Sequence, residues 1–445
     1  MLMISIGNNT YKHPHSVIDK GIDYNIFHSI RDDDEPLSNR FTYHQFITTT
    51  CDLYNRLIQE ENRYIYSTFN DERFILIAIA GMLSGKTVLT INEPLQGKLY
   101  VNTLNIVENK NYKETIKDIE KRVSNSDTGG ILFSTSGSTG TGKTVYLSWH
   151  NIMASVYSFC NDEYINYTGL DRVLHCLPHT HIYGFLMELV SIVFGLHLHY
   201  TTPSELYKSY LNIKPSVLPI VPAILNKLYE NRLPLELNLL VSAGAPLRSE
   251  VAEFYGKTCR QILKGYGTTE SAACLTLSTD PKDDGVCTAA NVIRIADDGE
   301  LLVKGLSVSD SVIGTDGWYH TSDIVSVDSN NRLRIIGRKN NTIKLQQGEF
   351  INLDELSILY TTNSMDTVVY ANPLDRYPRA IVYIDNTVNP DDIEGIFNDI
   401  HEHNRRKGFE RIQNITVKSI KDIPLINNVK PDYKRIREEA IALHV

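Results

Sequence analysis

The chain has 445 residues, 42% hydrophobic and 22% charged, as in an ordinary globular protein. At roughly 150 residues per unit, that length suggests about three folding units. Its 53 acidic and 44 basic side chains leave a charge of −9, which argues against a sequence-independent nucleic-acid binder but not against one bound nucleotide.

Residues 1–16 hold no basic region followed by an apolar run, so no secretory signal is expected. The most apolar stretches are 74–83, too short to span a bilayer, and 185–198, which carries Glu188. Both read as buried core elements, with no membrane span. The cysteines Cys51, Cys160, Cys176, Cys259, Cys274 and Cys287 form no CxxC pair. Scattered single cysteines fit reduced, buried thiols of a cytoplasmic protein.

Residues 130–134 and 239–242 read as buried strands ending in small residues, and 220–230 and 251–259 as helices. Strands alternating with helices predict an α/β fold with parallel layers, whose ligands sit beyond the carboxyl ends of strands. The texture changes at 337–341. Before it, 333–336 is strand-like; after it come a hairpin at 344–353, strands at 367–370 and 380–384, and a helix at 393–401. This predicts a large N-terminal body of layered sheets and helices, 1–339, and a small mobile α+β C-terminal domain, 340–445.

The strongest local signal lies between Ile131 and Thr144. A buried strand runs into Thr135, Ser136, Gly137, Ser138, Thr139 and Gly140, then Lys143. Glycines let backbone N–H groups converge on phosphate oxygens, and the ammonium adds a point charge. Residues 137–144 fit the P-loop pattern G-x-x-x-x-G-K-[ST] letter for letter. A P-loop Lys opens a helix, however, whereas 144–149 alternate like a strand and Ser148 reads as the N-cap of a later helix. No apolar run ends in an Asp suited to a Walker-B metal ligand. The other reading is a phosphate-binding loop followed by a strand.

Further segments follow in order. Leu177-Pro-His-Thr-His181-Ile-Tyr183-Gly184 gives Pro-x-x-His-x-x-Gly. Ser242-Ala243-Gly244-Ala245-Pro246-Leu247, Gly265-Tyr266-Gly267-Thr268-Thr269-Glu270 and Thr321-Ser322-Asp323 come next, then Gly337-Arg338, Lys344 to Gly348, and Pro424 to Lys430. Over about residues 130–435 this series resembles the adenylate-forming superfamily of acyl- and aryl-CoA synthetases, luciferases and peptide-synthetase adenylation domains. The texture is most similar to acyl- or aryl-acid ligases of CoA or carrier proteins.

The resemblance implies ATP-dependent activation of a carboxylic acid to acyl-AMP with pyrophosphate release, then transfer to the thiol of CoA or of a carrier protein's phosphopantetheine. It implies a catalytic set of Lys430, Thr269, Glu270 and His181, with Mg²⁺ on Glu270. Thr135 to Gly140, Lys143, Gly244, Ala245, Pro246, Tyr266, Gly267, Asp323 and Arg338 would surround the nucleotide. His181, Tyr183, Ala243, Gly244 and Ser271 would border the acid. No Asp awaits a substrate ammonium, so a fatty or aryl acid is expected rather than an amino acid. Asn340 falls at the hinge, and Lys344 and Gly348 in the hairpin that lines the thiol tunnel.

Three departures stand out. Gly142 replaces the usual Pro before Lys143, Ser322 the usual Gly before Asp323, and Val429 the usual Gly before Lys430. Lys434 is a rival to Lys430, and a core histidine is the alternative reading of His181. His175, His179 and His181, at i, i+4, i+6, match no good zinc site. The competing functions are a P-loop NTPase and a weakened relative that binds nucleotide or acid without turnover.

Overall fold

Alternation along the parallel strands builds the core of the larger unit. In a computed structural model, Leu239–Ala243 turns Leu239 and Val241 into one core and Leu240 into another. Neighbouring strands do the same, so this sheet is buried on both faces. The structure describes residues 11–12, 33, 36–38, 40–69, 71–90, 98–101, 104, 111–135, 143–160, 171–280, 282–362, 364–403, 408–426 and 430–442.

The sheet has seven strands in the order Val286–Cys287, Thr276–Ser278, Ile262–Tyr266, Leu239–Ala243, Val217–Ile220, Arg172–His175, His197–Tyr200. The last five run parallel, so their carboxyl ends share one edge. One face packs on helices Pro222–Glu230 and Ser249–Tyr255. The other shares a continuous core with helices Tyr43–Leu57, Glu72–Leu83, Trp149–Cys160 and Ile182–Val193. That core also takes in a five-stranded sheet in which Gly130–Thr135 lies beside Thr87–Leu89 and Lys143–Ser148. Phe185 links the layers, with ring centroids 6.4 Å from Phe74 and 5.8 Å from Phe133.

Local chemistry moved several boundaries. The helix expected at 220–230 begins at Pro222, whose fixed φ suits a first helical turn, and Ile220 closes the preceding strand. The helix expected at 251–259 spans Ser249–Tyr255 and stops before Gly256, a poor helix former. The core stretch at 185–198 is a helix and a strand, divided at Gly195 with φ +70°. The hairpin expected at 344–353 pairs Thr342–Lys344 with Phe350–Asn352, and Leu353 already opens a helix. All six cysteines are unpaired with one another, and burial pushes the Cys176 and Cys259 thiols up to about 11. Among the described residues no helix is long and apolar enough to cross a membrane.

Two compact units divide the chain. The first comprises 1–297, 301–321 and 327–334; the second comprises 298–300, 322–326 and 335–445. In the second, strand Arg379–Ile384 lies between Met365–Tyr370 and Ile415–Ser419. Helices Leu353–Tyr360 and Ile393–His403 cover one face, and Tyr433–Ala442 the other.

Candidate active site

Strand Gly130–Thr135 pairs antiparallel with Lys143–Ser148, Thr135 opposite Lys143. Lys143 therefore opens a strand, and the literal P-loop pattern lacks the helix that makes it one. Helix Trp149–Cys160 follows, and its start is capped as expected: Asn151 N donates to Ser148 Oγ at 3.1 Å, and Ser148 N to Asn151 Oδ1 at 3.1 Å. The Lys143 side chain is exposed at the loop end of this hairpin. Ser136, Gly137, Ser138, Thr139 and Gly140 lie outside the described residues, as does the side chain of Thr135.

Two other turns leave the carboxyl ends of adjacent parallel strands. Ala243 is in register with Gly265, so Gly244, Ala245 and Pro246 emerge beside Tyr266 and Gly267. A β-carbon on Gly267 would lie 1.8 Å from the Ala273 carbonyl oxygen, so the chain must be bare there. The turn beyond it is held at several points. Thr268 N donates to Ser271 Oγ at 3.1 Å, Ser155 Oγ donates to Ala272 O at 2.6 Å, and Ser309 N donates to Glu270 O at 2.8 Å. Ala272 and Ala273 take φ of +52° and +75°, a left-handed path. Thr269 and Glu270 sit half-buried on this clamped turn. Ser271, expected beside the acid, is buried beneath it with its hydroxyl engaged by Thr268.

His181 is exposed at the start of helix Ile182–Val193, its N–H donating to Pro178 O at 3.0 Å. It is not a core histidine; of the three in this segment, the buried ones are His175 and His179. A β-carbon on Gly184 would lie 2.4 Å from that same Pro178 oxygen, which gives the Pro-x-x-His-x-x-Gly spacing a steric cause. Tyr183 bonds the Val241 carbonyl through its hydroxyl at 2.9 Å, tying this helix to strand Leu239–Ala243. Among the described residues no three His, Cys, Asp or Glu side chains cluster to hold a metal. The Glu270 carboxylate is a hard oxygen donor of the kind that Mg²⁺ takes.

The second unit holds the remaining candidates. Arg338 Nε lies 3.2 Å from Asp323 Oδ1, and Asp323 is nearly buried. Ser322 has φ +59°, so the departure from glycine falls where an L side chain is strained. Its N–H donates to Glu300 Oε1 at 2.9 Å, and Lys339 Nζ donates to Glu300 Oε2 at 2.8 Å and pairs with Asp298 at 2.5 Å. The Lys339 ammonium holds the Asp298 carboxyl below its ordinary value. Asn340 lies in the short 3₁₀ turn Lys339–Asn341. Lys344 is exposed with Nζ 5.3 Å from the Phe350 ring centroid, and Gly348 turns the hairpin at φ +91°. Lys430 opens the short strand Lys430–Pro431, opposite Ile426; its side chain and residues 427–429 lie outside the described residues. The rival Lys434 is solvent-exposed and faces Glu438 at 3.9 Å.

The family model for AMP-binding enzymes matches residues 73–310, more than half of the chain. The chain belongs to that family. It is 25% identical over 354 residues to long-chain-fatty-acid–CoA ligase 1 of Saccharomyces cerevisiae, covering 61% of this chain and 50% of that one. It is 28% identical over 341 residues to probable 4-coumarate–CoA ligase 2 of Dictyostelium discoideum, covering 67% and 60%. The chain thus spans about half to three fifths of the length of these curated relatives. Its fold is similar to ATP-bound MatB from Rhodopseudomonas palustris, with TM-score 0.65, 17% identity and coverage of 94% of this chain and 99% of that one. O-succinylbenzoate coenzyme A synthetase from Bacillus subtilis, in complex with AMP, gives TM-score 0.64 at 17% identity, covering 94% and 98%. These likenesses show that the chain shares the α/β fold of those structures.

Two substitutions test the backbone argument in this AMP-binding enzyme. Ser322→Gly keeps the N–H bond to Glu300 and removes the left-handed strain, so urea unfolding should show a gain of about 0.5–1 kcal/mol, whereas Ser322→Val should lose stability. Gly184→Ala forces the Pro178 turn open and should cost about 1–3 kcal/mol in the same assay, as overpacking does.

Proposed function

We propose that this chain is an AMP-forming acid–thiol ligase that takes a fatty or aryl acid. One observation carries the reading: the turns at Gly244–Pro246 and Gly267–Glu270 leave adjacent parallel strands side by side, within the family-matched region. Their small residues leave main chain accessible to a flat base and its phosphates. The names of the curated relatives, a long-chain fatty-acid ligase and a probable coumarate ligase, both of CoA, support an acid substrate with CoA as the acceptor. A carrier protein's phosphopantetheine is the alternative thiol.

The substrate carboxylate is an anion above about pH 4, so attack on the α-phosphorus of ATP requires no general base. The obstacle is bringing anions together. Tyr266 offers a ring for adenine, Thr269 a hydroxyl for the α-phosphate, and Lys143 an ammonium for the polyphosphate. Lys430 is the residue proposed to neutralise charge developing in the first step. Glu270 would hold Mg²⁺, which supplies Lewis-acid stabilisation of phosphoryl charge. Asp323, as a bidentate acceptor steadied by Arg338, suits a pair of ribose hydroxyls. The acyl-AMP is a mixed anhydride, whose carbonyl the thiol then attacks, releasing AMP.

Carboxylate-dependent ATP–pyrophosphate exchange, screened across fatty, aryl and hydroxy acids, tests the first step. AMP and pyrophosphate are the expected products; release of ADP and phosphate would refute the ligase reading. Lys430→Ala should abolish exchange yet form thioester from supplied acyl-AMP. Retained exchange would remove Lys430 from the first step.

A further inference from the structure

Helix Ile182–Val193 is apolar on almost every side, yet carries the fully buried Glu188 at its centre. An ionised carboxylate in such surroundings is strongly unfavourable unless it is paired. Two buried histidines flank one of its oxygens. His175 Nε2 lies 3.5 Å from Oε1 and His179 Nδ1 lies 3.7 Å from it. These distances are long for hydrogen bonds, so what each ring offers the carboxylate is electrostatic.

His179 is constrained on its other side as well. Its Nε2 lies 3.0 Å from the Phe69 carbonyl oxygen, and its ring stacks on Phe74 with centroids 4.4 Å apart and planes 14° apart. Both ring nitrogens therefore face acceptors, a carbonyl and a carboxylate. A neutral imidazole owns one N–H and would turn a lone pair toward one of them; an imidazolium satisfies both. Burial pushes the His179 ring down, but the neighbouring Glu188 carboxylate, then the Phe69 carbonyl and Asp71, outweigh it and hold the ring above its ordinary value. His175 behaves oppositely: burial outweighs the pull of Glu188, His179 pushes the same way, and the ring is held below its ordinary value.

The surroundings do not reverse this. From strand His197–Tyr200, the Tyr200 ring lies 5.6 Å from His175, and its phenol is pushed far up by burial and by Glu188. At the start of helix Glu72–Leu83, Asp71 pairs with Arg73 at 2.6 Å, and Glu72 lies 3.4 Å from Arg40. His179 is thus the buried anchor of the turn 178–181, which delivers the exposed His181 two residues later.

We infer that the buried His179–Glu188 pair is a positioning device: its imidazolium pins the turn 178–181 to helix Ile182–Val193 and so fixes where His181 meets the acid. This rests on the acid-activating reading above. His179 and Glu188 are positioning residues and touch no substrate. The pH sign follows from linkage. A ring held above its unfolded value of about 6.5 lends its stabilisation fully below that pH and loses it as pH rises through the folded value. The acid site should therefore loosen on the alkaline side, while the nucleotide turns on other strands should not.

The test uses the full chain labelled with ¹⁵N-histidine, assigned with His179→Gln and His181→Asn and titrated from about pH 6 to 10 alongside steady-state kinetics. Both His179 nitrogens should be protonated at pH 7. As His179 loses its proton, the His181 ring signals should shift and KM for the acid should rise about tenfold while KM for ATP stays constant. Glu188→Gln should show that raised acid KM already at neutral pH, with its pH dependence gone, and Glu188→Asp should restore part of it. A neutral His179 at pH 7 would overturn the proposal, as would His181 signals and an acid KM that ignore the titration. If Glu188→Gln does not fold, the wild-type titration decides alone. If no acid yields AMP, the ligase reading fails separately, and the response of the His181 signals still decides whether the pair holds the turn.

Discussion

No side chain can stand at position 267, because the Ala273 carbonyl oxygen occupies the space where its first carbon would go. The turn carrying Thr269 and Glu270 can fold back that tightly only by taking Ala272 and Ala273 through left-handed backbone. Each such residue costs roughly 1–2 kcal/mol, and a typical hydrogen bond returns about 1 kcal/mol. The bonds donated by Ser155 and Ser309 and the one accepted by Ser271 are therefore of the same size as the strain they offset. Such a turn persists because neighbouring elements over-determine it. Those neighbours come from distant parts of the chain, a helix before the seven-stranded sheet and a segment after it. The candidate metal ligand is thus placed by the assembled first unit rather than by its own sequence.

The same logic separates what was legible in the sequence from what was not. Strands 130–135 and 239–243 declared themselves by buried runs ending in small residues, and the strand after Lys143 by its alternation. That alternation was enough to set the phosphate-loop reading against the P-loop. Ser322 was visible as a departure from a pattern, but a pattern cannot report a φ of +59°. Ser271 looked like a polar residue beside a binding turn. Only the folded turn shows that its hydroxyl is spent on Thr268.

His181 illustrates the harder case. Three histidines at i, i+4 and i+6 straddle a strand end, a turn and a helix start, so neither strand nor helix periodicity says which of them is buried. The signal that could have sorted them was Glu188. It served only as an argument against a membrane span, yet a carboxylate in a helix otherwise this apolar requires partners. Chain connectivity keeps three imidazoles near that helix in the segment before it and two more, His197 and His199, on the strand after it.

Why that site should hold a charged pair and not a leucine is a question about geometry more than stability. Replacing a buried ion pair with apolar residues of matched volume is often neutral or stabilising, so Glu188 and His179 are not explained by the energy of the core. An apolar contact between the turn 178–181 and its helix would tolerate several rotations of the turn at similar cost. A ring whose two nitrogens must meet a carboxylate on one side and the Phe69 carbonyl on the other, while lying flat on Phe74, admits one orientation. Gly184 against the Pro178 carbonyl closes the remaining freedom from the other end of the turn. On the proposed reading, what the pair contributes is a fixed direction for the two residues that follow it, which a turn that meets an acid needs more than it needs another unit of stability.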